Sequence, residues 1–194
     1  MRRICIFCGS NPGNDPSYTT MAQAMGKALA DRGLGMVYGG AAVGLMGRTA
    51  DAALAGGAEV IGVLPRALSE KELAHPGLTE LHVVESMHER KALMAELSDG
   101  FIALPGGIGT FEEICEVFTW SQLGFHDKPC GLLNVGGYYD CFLDMLDNAV
   151  AQGFLNQSHR SILYASQKPE TLLEGFEGYV PPRTNKWIER EQQL

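Results

Sequence analysis

Two stretches of this chain carry residues that could do chemistry together. The first is Pro105-Gly-Gly-Ile-Gly-Thr-Phe-Glu-Glu113. Gly106, Gly107 and Gly109 strip the turn of side chains, so another molecule can approach the backbone closely. Thr110 reads as an N-cap, and Glu113 three residues on has the spacing of a capping box. The free N–H groups and positive dipole of that helix start favour an anion such as phosphate. Glu113 reads in two ways: as a capping carboxylate, or as a carboxylate placed to act on a sugar or a water beside a bound phosphate. Glu112 precedes it.

The second stretch is Ser86-Met-His-Glu-Arg-Lys91. Two adjacent cations at a helix start oppose the dipole. Solvated surface charge explains them, and so does a phosphate or carboxylate partner, for which Arg90 has a bidentate fork. Arg90 can pair with either Glu113 or Glu112. His88 and Glu89 do not complete an HExxH metal motif, and no nucleophile elbow accompanies them.

The elements that must position these residues alternate. Short apolar runs read as strands at Arg3–Cys8, Gly35–Tyr38, Glu59–Leu64, Glu80–Val84, Phe101–Leu104, Pro129–Val135 and Ser161–Tyr164. Between them lie helical patterns at Tyr18–Asp31, up to about Ala55, Met87–Leu97, Phe111–Leu123, Tyr138–Gly153 and Pro169–Phe176. Strand–helix alternation predicts an α/β fold, a doubly wound Rossmann-like parallel sheet in a single domain over 1–180, followed by a tail at 181–194. Ligands of such sheets bind beyond the carboxyl ends of the strands. Four loops should meet there: Gly9-Ser10, Gly39–Gly47, Glu85–Lys91 and Pro105–Glu113. The second of them, containing Gly40 and Gly44, is neither a P-loop nor a dinucleotide fingerprint.

Composition bounds the function. The 194 residues suffice for one domain with a sizeable core. A net charge of −8 argues against a nucleic-acid partner. No apolar run has the length of a membrane span. The opening Met1-Arg-Arg-Ile-Cys-Ile-Phe-Cys8 has too short an apolar segment for a signal peptide and reads as the first strand of a cytoplasmic protein. Five cysteines are an odd number, as expected of reduced thiols. Cys5 and Cys8 form a CxxC, but three residues apart on a strand they face opposite ways, so packing rather than metal or redox chemistry is expected.

Together these motifs resemble the LOG family, the cytokinin riboside 5′-monophosphate phosphoribohydrolases. Pro105–Glu113 resembles that family's PGGxGTxxE signature, and Met87-His-Glu-Arg-Lys91 its second signature. Gly39–Gly47 and the first strand through Gly9-Ser10 fit as well, and the similarity runs from about Arg3 to the helix after Tyr138. The resemblance implies hydrolysis of the N-glycosidic bond of a nucleoside 5′-monophosphate to free base and ribose 5-phosphate. It implies Arg90 and Glu113 as the catalytic pair. It implies substrate contacts from Gly9, Ser10, Gly40, Gly44, Glu72, Met87, Lys91, Gly106, Gly107, Ile108, Gly109, Thr110, Phe111, Glu112 and Thr119. It implies no metal and no organic cofactor, and a homodimer, for which Phe118, Trp120 and Leu123 offer a face that could equally be core. The older family label, lysine decarboxylase, finds no pyridoxal-phosphate lysine context here. Tyr38 departs from the small or cysteine residue that often precedes the glycine loop. A nucleotide-binding or molybdenum-cofactor carrier of the same fold, without hydrolysis, is the alternative; another is an enzyme acting on AMP or a different phosphoribosyl compound.

Overall fold

The structure is a computed structural model that describes residues 1–69 and 74–182. Seven strands form one parallel sheet: β1 (Arg3–Phe7), β2 (Gly35–Tyr38), β3 (Val60–Pro65), β4 (Glu80–Val84), β5 (Gly100–Ala103), β6 (Cys130–Leu133) and β7 (Leu163–Ser166). Their spatial order is β4-β3-β2-β1-β5-β6-β7. The helices between them are α1 (Pro16–Asp31), α2 (Gly44–Ala55), α3 (Arg66–Ser69), α4 (Met87–Glu96), α5 (Ile108–Gln122), α6 (Asp140–Ala151), α7 (Gln157–Arg160) and α8 (Pro169–Glu177). The predicted doubly wound α/β architecture is therefore present.

The strand order explains the strand compositions. β2, β3, β5 and β6 are buried at every position, so they read as unbroken apolar runs. The edge strands β4 and β7 are largely exposed and carry polar residues such as Glu80 and His82. Two apolar layers flank the sheet. One holds Met25, Leu29, Leu45, Ala50, Leu172 and Phe176 from α1, α2 and α8. The other holds Met94, Ile114, Val117 and Phe118 from α4 and α5, with Phe142 and Leu146 of α6 packed against it. Cys8 belongs to the first layer and Cys5 to the second, as alternation along a strand requires.

The order reverses between β1 and β5, which pair directly from Ile4↔Gly100 to Phe7↔Ala103. Chain leaving β1 turns toward one side of the sheet and chain leaving β5 toward the other. A crevice opens at that point, beyond the carboxyl ends of the strands.

Candidate active site

The head of α5 differs from the sequence expectation. The helix begins at Ile108, with extended Gly107 as its N-cap and no side-chain cap. Thr110 is the third helical residue and is buried, and Glu113 is the sixth, so the Thr110–Glu113 capping box does not form. The reason is steric: a Cβ on Gly106 would stand 2.2 Å from Thr110 Oγ1, so a bare turn lets the helix start early and draw Thr110 inward. The first helical hydrogen bond runs from Phe111 N–H to the Gly107 carbonyl at 3.2 Å. The N–H groups of Ile108, Gly109 and Thr110 are left pointing out of the helix end. The capping box lies instead on α4. There the Glu89 N–H donates to Ser86 Oγ at 3.1 Å and the Glu89 carboxylate accepts from the Glu85 N–H at 2.9 Å.

Backbone hydrogen bonds lace the loops together. Gly9 N–H donates to the Pro105 carbonyl at 3.1 Å, and Leu45 N–H to the Gly9 carbonyl at 3.0 Å. Gly44 allows this closeness: its φ is +57°, and a Cβ would lie 2.2 Å from the Ser10 carbonyl carbon. Behind the Pro105 turn, the Tyr138 hydroxyl donates to the Gly106 carbonyl and the Tyr139 hydroxyl to the Leu104 carbonyl at 2.6 Å. These tyrosines sit in a 3-10 turn ahead of α6 rather than inside the predicted helix, because Gly136 and Gly137 take positive φ there.

The loops enclose a cleft of about 340 Å³. Of the expected site residues, Gly9, Ser10, Arg90, Gly107, Ile108, Gly109, Thr110 and Glu113 line it. Gly39, Met46 and Met94 line it too and were not singled out from the sequence. Gly39 carried a signal, since it opens a glycine turn after a strand; the two methionines carried none beyond apolar spacing. Arg90 and Glu113 meet at 3.8 Å, with their side chains 11% and 12% exposed. The guanidinium lies flat over Gly39, where a Cβ would come within 2.2 Å of Nη2. Met87 stands exposed one turn earlier, its sulfur 3.8 Å from Arg90 Nη1.

Glu113 has its pKa pushed up to about 7. Burial is the main cause; Arg90 opposes it, Glu112 adds to it, Lys91 opposes it and Glu116 adds to it. A carboxyl at this setting can hold or release a proton near neutrality. The Cys8 thiol, also on the cleft wall, is pushed far up by burial and by Glu113, so it stays protonated and is a poor nucleophile.

Other expected residues lie elsewhere. Lys91 is 9% exposed and ion-paired on the far side of α5, with Glu112 and, at 3.0 Å, with Glu116. Burial works against its charge, but the two carboxylates outweigh that and raise its pKa. A Schiff-base lysine needs the opposite shift. Phe111 stacks on Tyr138 at 6.3 Å and meets Tyr139 edge-on at 5.9 Å, in the aromatic packing outside the cleft. Thr119 lies on the exposed surface of α5 and hydrogen-bonds its own helix through the Cys115 carbonyl. Eleven residues past the helix start, it sits roughly 16 Å along the axis from the cleft end. Gly40, Gly44 and Gly106 shape the loops without lining the cleft. Glu72 lies outside the described residues. Among the described residues no group of three or more His, Cys, Asp or Glu is placed to hold a metal ion.

The class of protein is set by these features: a Rossmann-like α/β protein whose bare glycine turns and buried carboxylate–guanidinium pair meet at the topological switch point. Residues 46–176 match the family model described as "Possible lysine decarboxylase". The chain is 51% identical over 181 residues to the probable cytokinin riboside 5′-monophosphate phosphoribohydrolase LOGL5 of Oryza sativa subsp. japonica, covering 93% of this chain and 74% of that one. It is 48% identical over 180 residues to cytokinin riboside 5′-monophosphate phosphoribohydrolase LOG1 of Arabidopsis thaliana, covering 93% and 84%. Among solved structures, the molybdenum cofactor binding protein of Rippkaea orientalis superposes with a TM-score of 0.68 at 20% identity, covering 91% of this chain and 95% of that one. The carrier protein MCP of Chlamydomonas reinhardtii superposes equally well at 20% identity, covering 89% and 94%. At that identity the structural likeness concerns the fold alone. The chain belongs to the LOG family, whose older label survives in the description of its family model.

Proposed function

We propose that this protein hydrolyses the N-glycosidic bond of a nucleoside 5′-monophosphate, releasing the base and ribose 5-phosphate. The observation that carries the reading is the Arg90–Glu113 pair, buried in a cleft that also contains the open N-terminus of α5. The N–H groups of Ile108, Gly109 and Thr110 receive the 5′-phosphate. The ribose then lies over Glu113. As the base departs, positive charge grows on the sugar, and the Glu113 carboxylate stabilises it and orients or deprotonates the attacking water. Arg90 holds the carboxylate and the substrate in register.

The related enzymes named above act on cytokinin nucleotides, which favours an N6-substituted adenine as the base. Base release measured by chromatography from AMP and isopentenyladenosine 5′-monophosphate, with the unphosphorylated nucleosides as controls, tests the reading. Release from the monophosphates alone is expected. Tight nucleotide binding with no release would mark a binding protein of this fold instead.

We further propose a homodimer. Phe118, expected at an interface, is core. The better candidate is α6, which buries no residue of its own although Phe142, Leu143 and Leu146 pack inward, and which leaves Met145 58% exposed. A second copy meeting this helix across a two-fold axis would cover it. The five cysteines are all free thiols, in keeping with a reducing compartment such as the cytoplasm. No described helix is long and apolar enough to cross a membrane.

A further inference from the structure

The pairing of Lys91 raises a question that the cleft itself does not answer. This lysine neighbours Arg90 in sequence but does not line the cleft. Its ammonium is spent on two carboxylates one turn apart on α5, Glu112 and Glu116. Glu113 lies between those two in sequence and turns the other way, into the cleft. Oε2 of Glu116 is buried with no hydrogen-bond partner among the described residues, so Lys91 is the principal compensation for that charge. We propose that Lys91 is a positioning residue rather than a substrate contact: with Glu112 and Glu116 it forms a charge cluster behind α5 that sets how readily Glu113 ionises.

The electrostatics follow from counting charges. Glu113 is faced by Arg90 and Lys91 from α4, by Glu112 and Glu116 from its own helix, and by the thiols of Cys5 and Cys8 from β1. The thiols are neutral, held so by burial. Lys91 reduces the charge of the Glu112–Glu116 pair from −2 to −1. Without it, two uncompensated negative charges would act on Glu113 through poorly screened protein and keep it protonated to higher pH. Arg90 alone would then oppose both them and burial.

The test does not depend on turnover. The Glu113 carboxyl is titrated by NMR in ligand-free protein labelled with 13C at glutamate, its signal assigned by its loss in Glu113→Gln. In Lys91→Met the midpoint should rise by roughly one pH unit. In Lys91→Arg it should stay near the parent value. In Lys91→Met/Glu112→Gln/Glu116→Gln it should return to or below the parent value. Glu112→Gln alone should lower it, which keeps the test available if Lys91→Met folds poorly. An unmoved midpoint in Lys91→Met, or a triple variant that stays with it, overturns the proposal. The consequence for catalysis rests on the hydrolase reading: the acidic limb of kcat should follow the NMR midpoints, with KM for AMP little changed. A substrate-binding lysine would instead raise KM and leave the midpoint alone. Absence of hydrolysis in every variant would count against that reading and leave the titration result standing.

Discussion

Arg90 Nη2 stands 3.8 Å from Glu113 Oε1, close enough for the charges to couple and too far for a hydrogen bond. The Arg90 Nε is buried without a partner among the described residues. A pair held at this separation can admit a third group between its members. A sugar hydroxyl or a water fits that description, and both belong to the proposed reaction.

Glu113→Gln keeps the shape of the cleft and removes the carboxylate. Turnover should fall at least about 100-fold, the usual worth of a positioned acid or base. Nucleotide affinity measured by calorimetry should change little. Arg90→Ala should lose activity to a similar extent. Either variant running near the parent rate would remove its residue from the chemistry.

The Glu113 pKa of about 7 makes two pH-dependent quantities move in opposite directions. Hydrolysis needs the carboxylate, so kcat should rise with pH through about 7 and level off above it. Stability should do the reverse. The folded state holds the proton until about pH 7, whereas an ordinary carboxyl releases it near 4.5. Between those values the folded state binds more protons, so stability declines as pH rises through the window. The full loss is about 3 kcal/mol. Denaturant unfolding at pH 5 and pH 8 measures it. The difference between the two should shrink by about that amount in Glu113→Gln.

Gly39 and Gly107 both line the cleft yet should respond differently to alanine. At Gly39 the new methyl meets the end of the Arg90 side chain, which must move aside. A shift of about 1 Å in a positioning group costs on the order of 100-fold in rate. The circular dichroism spectrum and melting temperature should change little, because a flexible side-chain end yields. At Gly107 nothing lies within 4 Å of the added carbon. That variant should fold and turn over normally, with a raised KM. Equal effects at the two positions would contradict the geometry of the cleft.

Met145→Asp puts a charge on the exposed side of α6. Sedimentation velocity should show dissociation weakened self-association by at least about 10-fold, since an unpaired charge is costly at an apolar contact. A parent protein that sediments as a monomer would exclude the dimer outright.

Much of the fold could be read from the sequence because parallel strands are buried on both faces. Val60–Pro65 and Phe101–Leu104 are apolar runs too short for helices, and glycine or proline punctuates them. The four loops could be placed at one edge for the same reason, and Arg90, Glu113 and the glycine turn do converge there. The start of α5 was misread because Gly107 and Gly109 were taken as turn only, whereas a helix can begin on them. The Ser86–Glu89 capping box has the same signature as the one expected at Thr110 and Glu113, so spacing could not choose between them. Lys91 was invisible for another reason. Its partners lie on a neighbouring helix, 21 and 25 residues away, and no local pattern encodes which side of α4 meets α5.

The pairing of β1 with β5 also governs when the cleft can exist. β1 meets β2 after one helical crossover, but it meets β5 only after some 96 residues have been made and folded back, since Ile4 pairs with Gly100. The Gly9 turn and the Pro105 turn come from the two sides of that seam. Contacts so distant along the chain form late and slowly. During refolding, helical signal should therefore return before nucleotide binding does, and a nascent chain would have no site until the sixth crossover had begun to form.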